Sequence, residues 1–340
     1  MSTDEDQLKK YSKMVTLKPK SINVLEGRSD FPVICSALED VLRKTAARGE
    51  LLLPNLNTHN KSVFAFSDYG GESHDAKFFT YSVLVCAYDP LDFFFESLTA
   101  MRQKYKLDSP QKELAFKDLG YGPIKRALPE YLRICNNLLP GMIVTVVVEK
   151  NIETLFGTVK KTTHEHVLQQ LEASGYGKWN ADVAEKLLRI VHLVSYLITL
   201  LTTDGQNILW MTDNDSIASN ETLYENTRRL FASTLAAYSK KKYGKIGCAL
   251  PLNDSQNFSN LLSIPDLVGG AIEHYLSREQ KMEDLTIKEE ADQILMWHTE
   301  QGISLKKYAF IFRKSENGYK TGRLVFHAKK PLDCGDIIYI

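Results

Sequence analysis

Between residues 181 and 203 apolar side chains recur at Val183, Leu187, Val191, Val194, Ile198 and Leu201, the spacing of a helix that buries one face. This pattern predicts the longest helix of the chain. The same period predicts helices over residues 31–50, where Val33, Ala37, Leu38, Val41 and Leu42 share a face and Gly49 stops the run, and over LDFFFESLTAMRQKYK, with Leu91, Phe94, Phe95, Leu98 and Met101 in register. Further helices are expected over residues 122–139, 221–242 and 283–301, and another beginning at or just before Asp266 in LSIPDLVGGAIEHYL.

Elsewhere the period drops to two, or the run becomes apolar throughout. SVFAFSD alternates Val63, Ala65 and Ser67 against Phe64 and Phe66, and FFTYSVLVCA follows the turn-like YGGESHD; two paired strands joined by a Gly-rich bend are expected. MIVTVVVEK is apolar on both sides, as a central strand covered on both faces requires. NILWMTDND and KIGCALP predict two more short strands, and Asn317-Gly318 between alternating stretches predicts a β-hairpin. Residues 1–30 show little period and read as an arm, and the stretch containing His164 and His166 reads as a polar connection, where a solvated loop outweighs a metal site. Strand, strand, helix, strand, long helix, strand, helix, strand, helix is the order of a mixed α/β sheet with helices on its faces.

Composition narrows the class. With 340 residues, 44% hydrophobic and 25% charged, the chain is neither disordered nor collagenous. Its 42 basic residues balance 42 acidic ones, so no global field draws it to nucleic acid or membrane. The balance is local rather than uniform: residues 99–133 carry eight Lys/Arg against four Asp/Glu, and residues 248–300 carry three against ten. Five scattered cysteines without CxxC spacing, an N-terminus without an apolar stretch and no span of membrane length lead to the expectation of a reduced, cytoplasmic protein that does not enter membranes. No phosphate-binding or dinucleotide-binding glycine motif occurs.

The acids carry the chemistry. Asp68 follows the first core strand, Glu113 sits in KELAFKDL, Asp213 and Asp215 follow ILWM, and Asp266 opens the late helix. Each alone suits a cap or a turn; placed on successive core elements, they can converge at one edge of a sheet. Several carboxylates around hard divalent cations can clamp the attacking and leaving oxygens of a phosphodiester. The DND triplet follows the wrong strand for an aspartyl phosphatase nucleophile.

In this order and at these separations, FAFSDYGGES, KELAFKDL, ILWMTDND and LLSIPDLVGGAIEHYL resemble the four landmarks of the domain-of-unknown-function 3800 family over about residues 61–280. That resemblance implies a ribonuclease H-like fold, a mixed central sheet flanked by helices, over residues 61–280; the residue pattern adds an N-terminal arm and helix over 1–60 and a C-terminal helix and hairpin over 281–340. The resemblance also implies Mg²⁺ or Mn²⁺ held by Asp68, Glu113, Asp213 and Asp266, with Asp215 as a further ligand or a turn residue. Where the family has Asp-Glu, this chain has Asp68-Tyr69-Gly70-Gly71-Glu72, which leaves Glu72 an auxiliary position. His74 is a further auxiliary group, as a proton shuttle or phosphate contact, and Lys117 one of the groups that could neutralise phosphate.

Lys112, Lys125, Arg126, the KKKYGK run at 240–245 and the hairpin cations Lys314, Lys320 and Arg323 suit a polyanionic backbone, although Lys runs at helix ends also face solvent. Tyr69, Tyr121 and Tyr319 are candidate stacking groups. The expected activity is hydrolysis of DNA or RNA by two carboxylate-held metal ions. The alternative is a non-catalytic ribonuclease H-like module that binds nucleic acid or a protein partner, with assembly as a homo-oligomer or inside a larger, defence-type complex in the bacterial setting the family implies.

Overall fold

The structure, a computed structural model, describes residues 16–28, 30–108, 113–212, 215–250, 256–281, 289–316, 318–326 and 335–339. In chain order its elements are β1 (Thr16–Leu17), α1 (Val33–Ala47), β2 (Leu53–Pro54), β3 (Ser62–Gly70), β4 (Phe78–Ala87), α2 (Asp92–Lys104), α3 (Gly122–Leu138) and β5 (Gly141–Glu149). There follow α4 (Lys160–Ala173), α5 (Ala181–Leu201), β6 (Asn207–Thr212), α6 (Glu221–Tyr238), β7 (Ile246–Ala249), α7 (Gln256–Lys281), α8 (Glu289–Thr299), β8 (Leu305–Ser315), β9 (Gly318–Phe326) and β10 (Gly335–Tyr339).

Eight strands form one mixed sheet in the order β10-β9-β8-β5-β4-β3-β6-β7. β4 runs antiparallel to both β3 and β5, whereas β6 lies parallel to β3 and β7 parallel to β6. This mixed α/β sheet, flanked by helices, is consistent with the expected ribonuclease H-like fold. β8 adds parallel to β5, and β9 returns antiparallel with Ser315 opposite Gly318, the strand pairing of the anticipated hairpin.

The sheet separates two apolar layers. On one face Val63, Ala65, Val144 and Val146 pack with α1, α5 and α6; on the other Phe66, Leu84, Ile143 and Val147 pack with α2, α3, α7 and α8. The alternation within MIVTVVVE explains why that run is apolar throughout: each side chain enters one layer or the other. Side-chain caps set two helix starts. The Asn180 carboxamide oxygen accepts from the Asp182 and Val183 amides at 3.0 and 3.4 Å, and that of Asn220 accepts from Leu223 N at 3.0 Å.

Three stretches differ from the sequence reading. The arm is not wholly loose: Ile22 and Leu25 are buried, and the Glu39 carboxylate accepts from Val24 N at 3.0 Å and Leu25 N at 2.9 Å. The polar connection forms α4, because Val167 and Leu171 supply a narrow buried stripe that the surrounding Lys, Glu and Gln obscure. The late helix begins at Gln256 and continues through Pro265. An interior proline forfeits one helical hydrogen bond, and burial of Leu261, Ile264, Leu267 and Val268 offsets that cost.

Two histidines, half-buried His192 and buried His298, make stability depend on pH. Burial depresses His192 from 6.5 to about 4 and His298 to about 3, the latter with Lys307 and Arg323 adding to the effect. A depressed pKa means that the unfolded chain binds protons first as the solution is acidified. Their stabilising contribution is therefore complete above pH 6.5 and is lost as pH falls, towards 4 for His192 and towards 3 for His298. Chemical denaturation should show stability declining across that interval, with a shallower decline in His192→Gln; an unchanged slope in the variant would contradict this assignment.

Candidate active site

Alternation along β3 decides which cavity each residue meets. Ser67 Oγ accepts from the buried Trp210 Nε1 at 2.8 Å and lies 2.6 Å from the Tyr69 hydroxyl, which lies 2.9 Å from Thr212 Oγ1. Ser67 and Tyr69 thus face the layer of α5 and α6. Asp68 points to the opposite layer, with Phe66.

There Asp68, Glu113 and Asp266 line one cavity of 300 Å³ together with Phe116, Lys117 and Ser263. They come from a strand, a loop and a helix. Asp68 and Asp266 are half-buried, whereas Glu113 and Lys117 are exposed at the rim. Asp266 Oδ2 accepts from the Phe116 amide at 2.7 Å, a charge-assisted bond that ties the loop carrying Glu113 and Lys117 to α7.

The glycine pair after Asp266 makes that docking feasible. A Cβ on Gly269 would lie 2.8 Å from Ser82 Oγ, and one on Gly270 would lie 2.4 Å from Phe116 Cγ. Glycine in a helix interior costs about 0.5–1 kcal/mol relative to alanine. Here its small size lets α7 approach β4 on one side and receive the Phe116 ring on the other.

Asp213, the fourth expected carboxylate, lies outside the described residues, as does Lys112. β6 ends at Thr212, which pairs with Ser67, so its described part stops one residue short of the level of Asp68. All three described acids offer hard oxygen donors, the chemistry that suits Mg²⁺ or Mn²⁺. Among the described residues, no group of three or more His, Cys, Asp or Glu is gathered closely enough to hold a metal ion. The fit is one of donor type and location, not of a closed ligand sphere.

The remaining expected residues lie elsewhere. Asp215 Oδ2 accepts from Lys186 Nζ at 2.6 Å, and the same ammonium pairs with Glu72 and lies 5.2 Å from the centre of the Tyr69 ring. Asp215 and Glu72 are therefore brought together on the face of the sheet opposite Asp68. Burial alone would lower the Lys186 pKa, but Asp215 and Glu72 outweigh it and hold the ammonium above its ordinary range. Burial likewise opposes ionisation of Asp215, yet Lys186 and Ser216 keep its carboxyl below the usual carboxylate range.

His74 is exposed, with its Nδ1 3.6 Å from Asp75. His164 is buried against Glu185 at 2.8 Å. Lys125 pairs with Glu289 at 2.7 Å and Glu290 at 2.6 Å, and Lys240 with Glu26 at 2.8 Å; part of the expected basic surface is thus internally neutralised. Of the candidate stacking tyrosines, Tyr121 and Tyr319 are exposed, whereas the Tyr69 hydroxyl is engaged inside the fold.

Sequence reasoning missed Lys186 and Arg189 as site builders. Their signal was present: two cations three residues apart within the most apolar helix of the chain.

Gly270→Ala should destabilise the protein by about 1–3 kcal/mol in urea denaturation, the usual cost of overpacking, because the Phe116 ring must move. Wild-type stability would show that the Phe116 contact is not tight.

Comparison with solved structures returns the ribonuclease H2 from Pyrococcus horikoshii OT3 at 12% sequence identity and a TM-score of 0.33, covering 68% of this chain and 85% of that one. No family model and no curated protein matches the chain. No helix among the described residues is long and apolar enough to cross a membrane.

Proposed function

We propose that this chain is a metal-dependent phosphodiesterase acting on nucleic acid, in keeping with its sequence resemblance to the domain-of-unknown-function 3800 family. The observation that carries the reading is the meeting of Asp68, Glu113 and Asp266 at one 300 Å³ cavity, although 45 and 153 residues separate them successively along the chain. Three acids drawn from a strand, a loop and a helix are more than caps or turns need.

In this reading Asp68, Glu113 and Asp266 would hold Mg²⁺ or Mn²⁺, with Asp213 added to them by the family resemblance alone. When bound, such an ion lowers the pKa of a water nucleophile and offsets charge on the leaving 3′ oxygen. The chain's own groups position the reaction. Pairing with Ser82 of β4 fixes the backbone of Asp68, and the Phe116 amide orients the Asp266 carboxylate. Lys117, at the rim, supplies a cation for a non-bridging phosphate oxygen.

Asn replacements separate chemistry from folding. Asp266→Asn retains a carbonyl oxygen for the Phe116 amide, whereas Asp266→Ala leaves that donor unmatched at a cost of about 1–3 kcal/mol. Labelled single- and double-stranded DNA and RNA, incubated with the full chain and Mg²⁺ or Mn²⁺, should be cleaved in at least one case. Asp68→Asn and Asp266→Asn should slow that cleavage by about 100-fold or more while melting like wild type. Cleavage that proceeds at the wild-type rate in both variants, or that ignores a chelator, would overturn the proposal.

A further inference from the structure

On the opposite face of the sheet, a second cavity of 700 Å³ opens beside β3, β4 and the start of α5. Its size is that of a site for a small organic ligand. Deep in it, the Arg189 guanidinium pairs with Glu185 and donates to the Tyr81 hydroxyl at 3.2 Å, while Glu185 also meets His164 at 2.8 Å and accepts from Leu155 N at 3.1 Å. That buried network satisfies itself and braces the floor.

Lys186 is different. Its side chain is only 12% exposed, and Asp215, 15% exposed, already gives it a buried counter-ion. Glu72 adds a second carboxylate to the same ammonium from a side chain that is 57% exposed. One of the two acids is built into the fold, and the other enters from solvent. Gly71 permits this entry: its φ is +83°, and a Cβ there would lie 1.8 Å from the Phe78 carbonyl oxygen. Glu72 thus occupies the place that an external anion would take.

A second cation lines the same cavity, with Glu273 and Glu72 acting on it only at longer range. Lys150 Nζ donates to the Ser73 carbonyl at 2.7 Å and lies 5.0 Å from the centre of the Phe79 ring, and it makes no ion pair among the described residues. Half-buried Phe79, Tyr69 and Val183 supply apolar wall. The other acids at the cavity, Glu153 and Asp182, stand exposed at its rim, and Asp182 pairs with Lys160 at 2.8 Å. One largely buried cation, a second nearer the surface, a solvent-exposed carboxylate and flat apolar walls together suit a ligand with an anionic group joined to a planar ring.

We propose that this cavity binds a nucleotide, whose phosphate replaces Glu72 on Lys186 and reaches Lys150, and whose base lies against the wall formed by Phe79, Tyr69 and Val183. The site is separate from the Asp68 cavity and does not depend on the activity proposed for it.

Calorimetric titration of the full chain with the four ribonucleoside 5′-monophosphates, the matching nucleosides and inorganic phosphate tests this. At least one nucleotide should bind about tenfold or more tightly than its nucleoside or phosphate alone. Glu72→Gln should tighten that binding, Lys150→Met should weaken it by about tenfold, and Asp68→Asn should leave it unchanged. A 5′-phosphorylated oligonucleotide that binds more tightly than the mononucleotide would assign the ligand as a strand end, and weaker binding would assign it as a free nucleotide. Circular dichroism matching wild type ensures that a loss reflects the site. Absence of nucleotide binding by both wild type and Glu72→Gln, or affinities unmoved by Glu72→Gln and Lys150→Met, would overturn the proposal.

Discussion

Everything of functional interest in this molecule depends on the period-two alternation of one strand. β3 lies in the interior of the sheet, bonded to β4 on one side and β6 on the other. A register slip of one residue would exchange its faces. Asp68 would then enter the layer of α5 and α6, and Tyr69 the layer of α7. Burial on both faces forbids that exchange: Ala65 and Val63 are fully enclosed on one side and Phe66 on the other, while the Trp210 indole bonds the Ser67 hydroxyl. The register that protects the core also sets two cavities back to back across a single strand.

The cavities differ in how they treat charge. Around Asp68 the acids come from separate segments and share a cavity with Lys117, and the bond from the Phe116 amide to Asp266 organises the loop. Around Lys186 the charges are already paired inside the protein, with Asp215 within hydrogen-bonding distance and Glu72 drawn in from the bend after β3. A buried ion loses hydration that only close partners restore. Asp215 does that for Lys186 and is therefore committed to the far face of the sheet.

Much of this was legible in the sequence, where local period and burial agree. The β3–β4 pair, the apolar β5, the long α5 and the strand pairing around Asn317-Gly318 all follow from spacing. The order of Asp68, Glu113 and Asp266 along the core elements allowed them to share one sheet edge, and the three line one cavity, while Asp213 lies outside the described residues. The rest was hidden for physical reasons. α4 carries so narrow an apolar stripe that its charged surface masks it, and Pro265 marks a helix start in most contexts, whereas here tertiary packing carries the helix through it. Asp215 could not be distinguished from Asp213 by spacing, because its partner Lys186 lies 29 residues away in sequence and only the fold joins them. The paired cations of α5 were visible as an interruption of an apolar run, but their ligands were not.

The most direct measurement is a thermal-shift titration with Mn²⁺, comparing wild type with the Asp68→Asn/Asp266→Asn double variant. An ion that binds only the folded chain stabilises it by about 2.7 kcal/mol at one hundred times its dissociation constant. Convergence of these carboxylates on a functional metal site predicts a rise in melting temperature in wild type and none in the double variant. An equal rise in both proteins, or no rise in either up to millimolar ion, would contradict it.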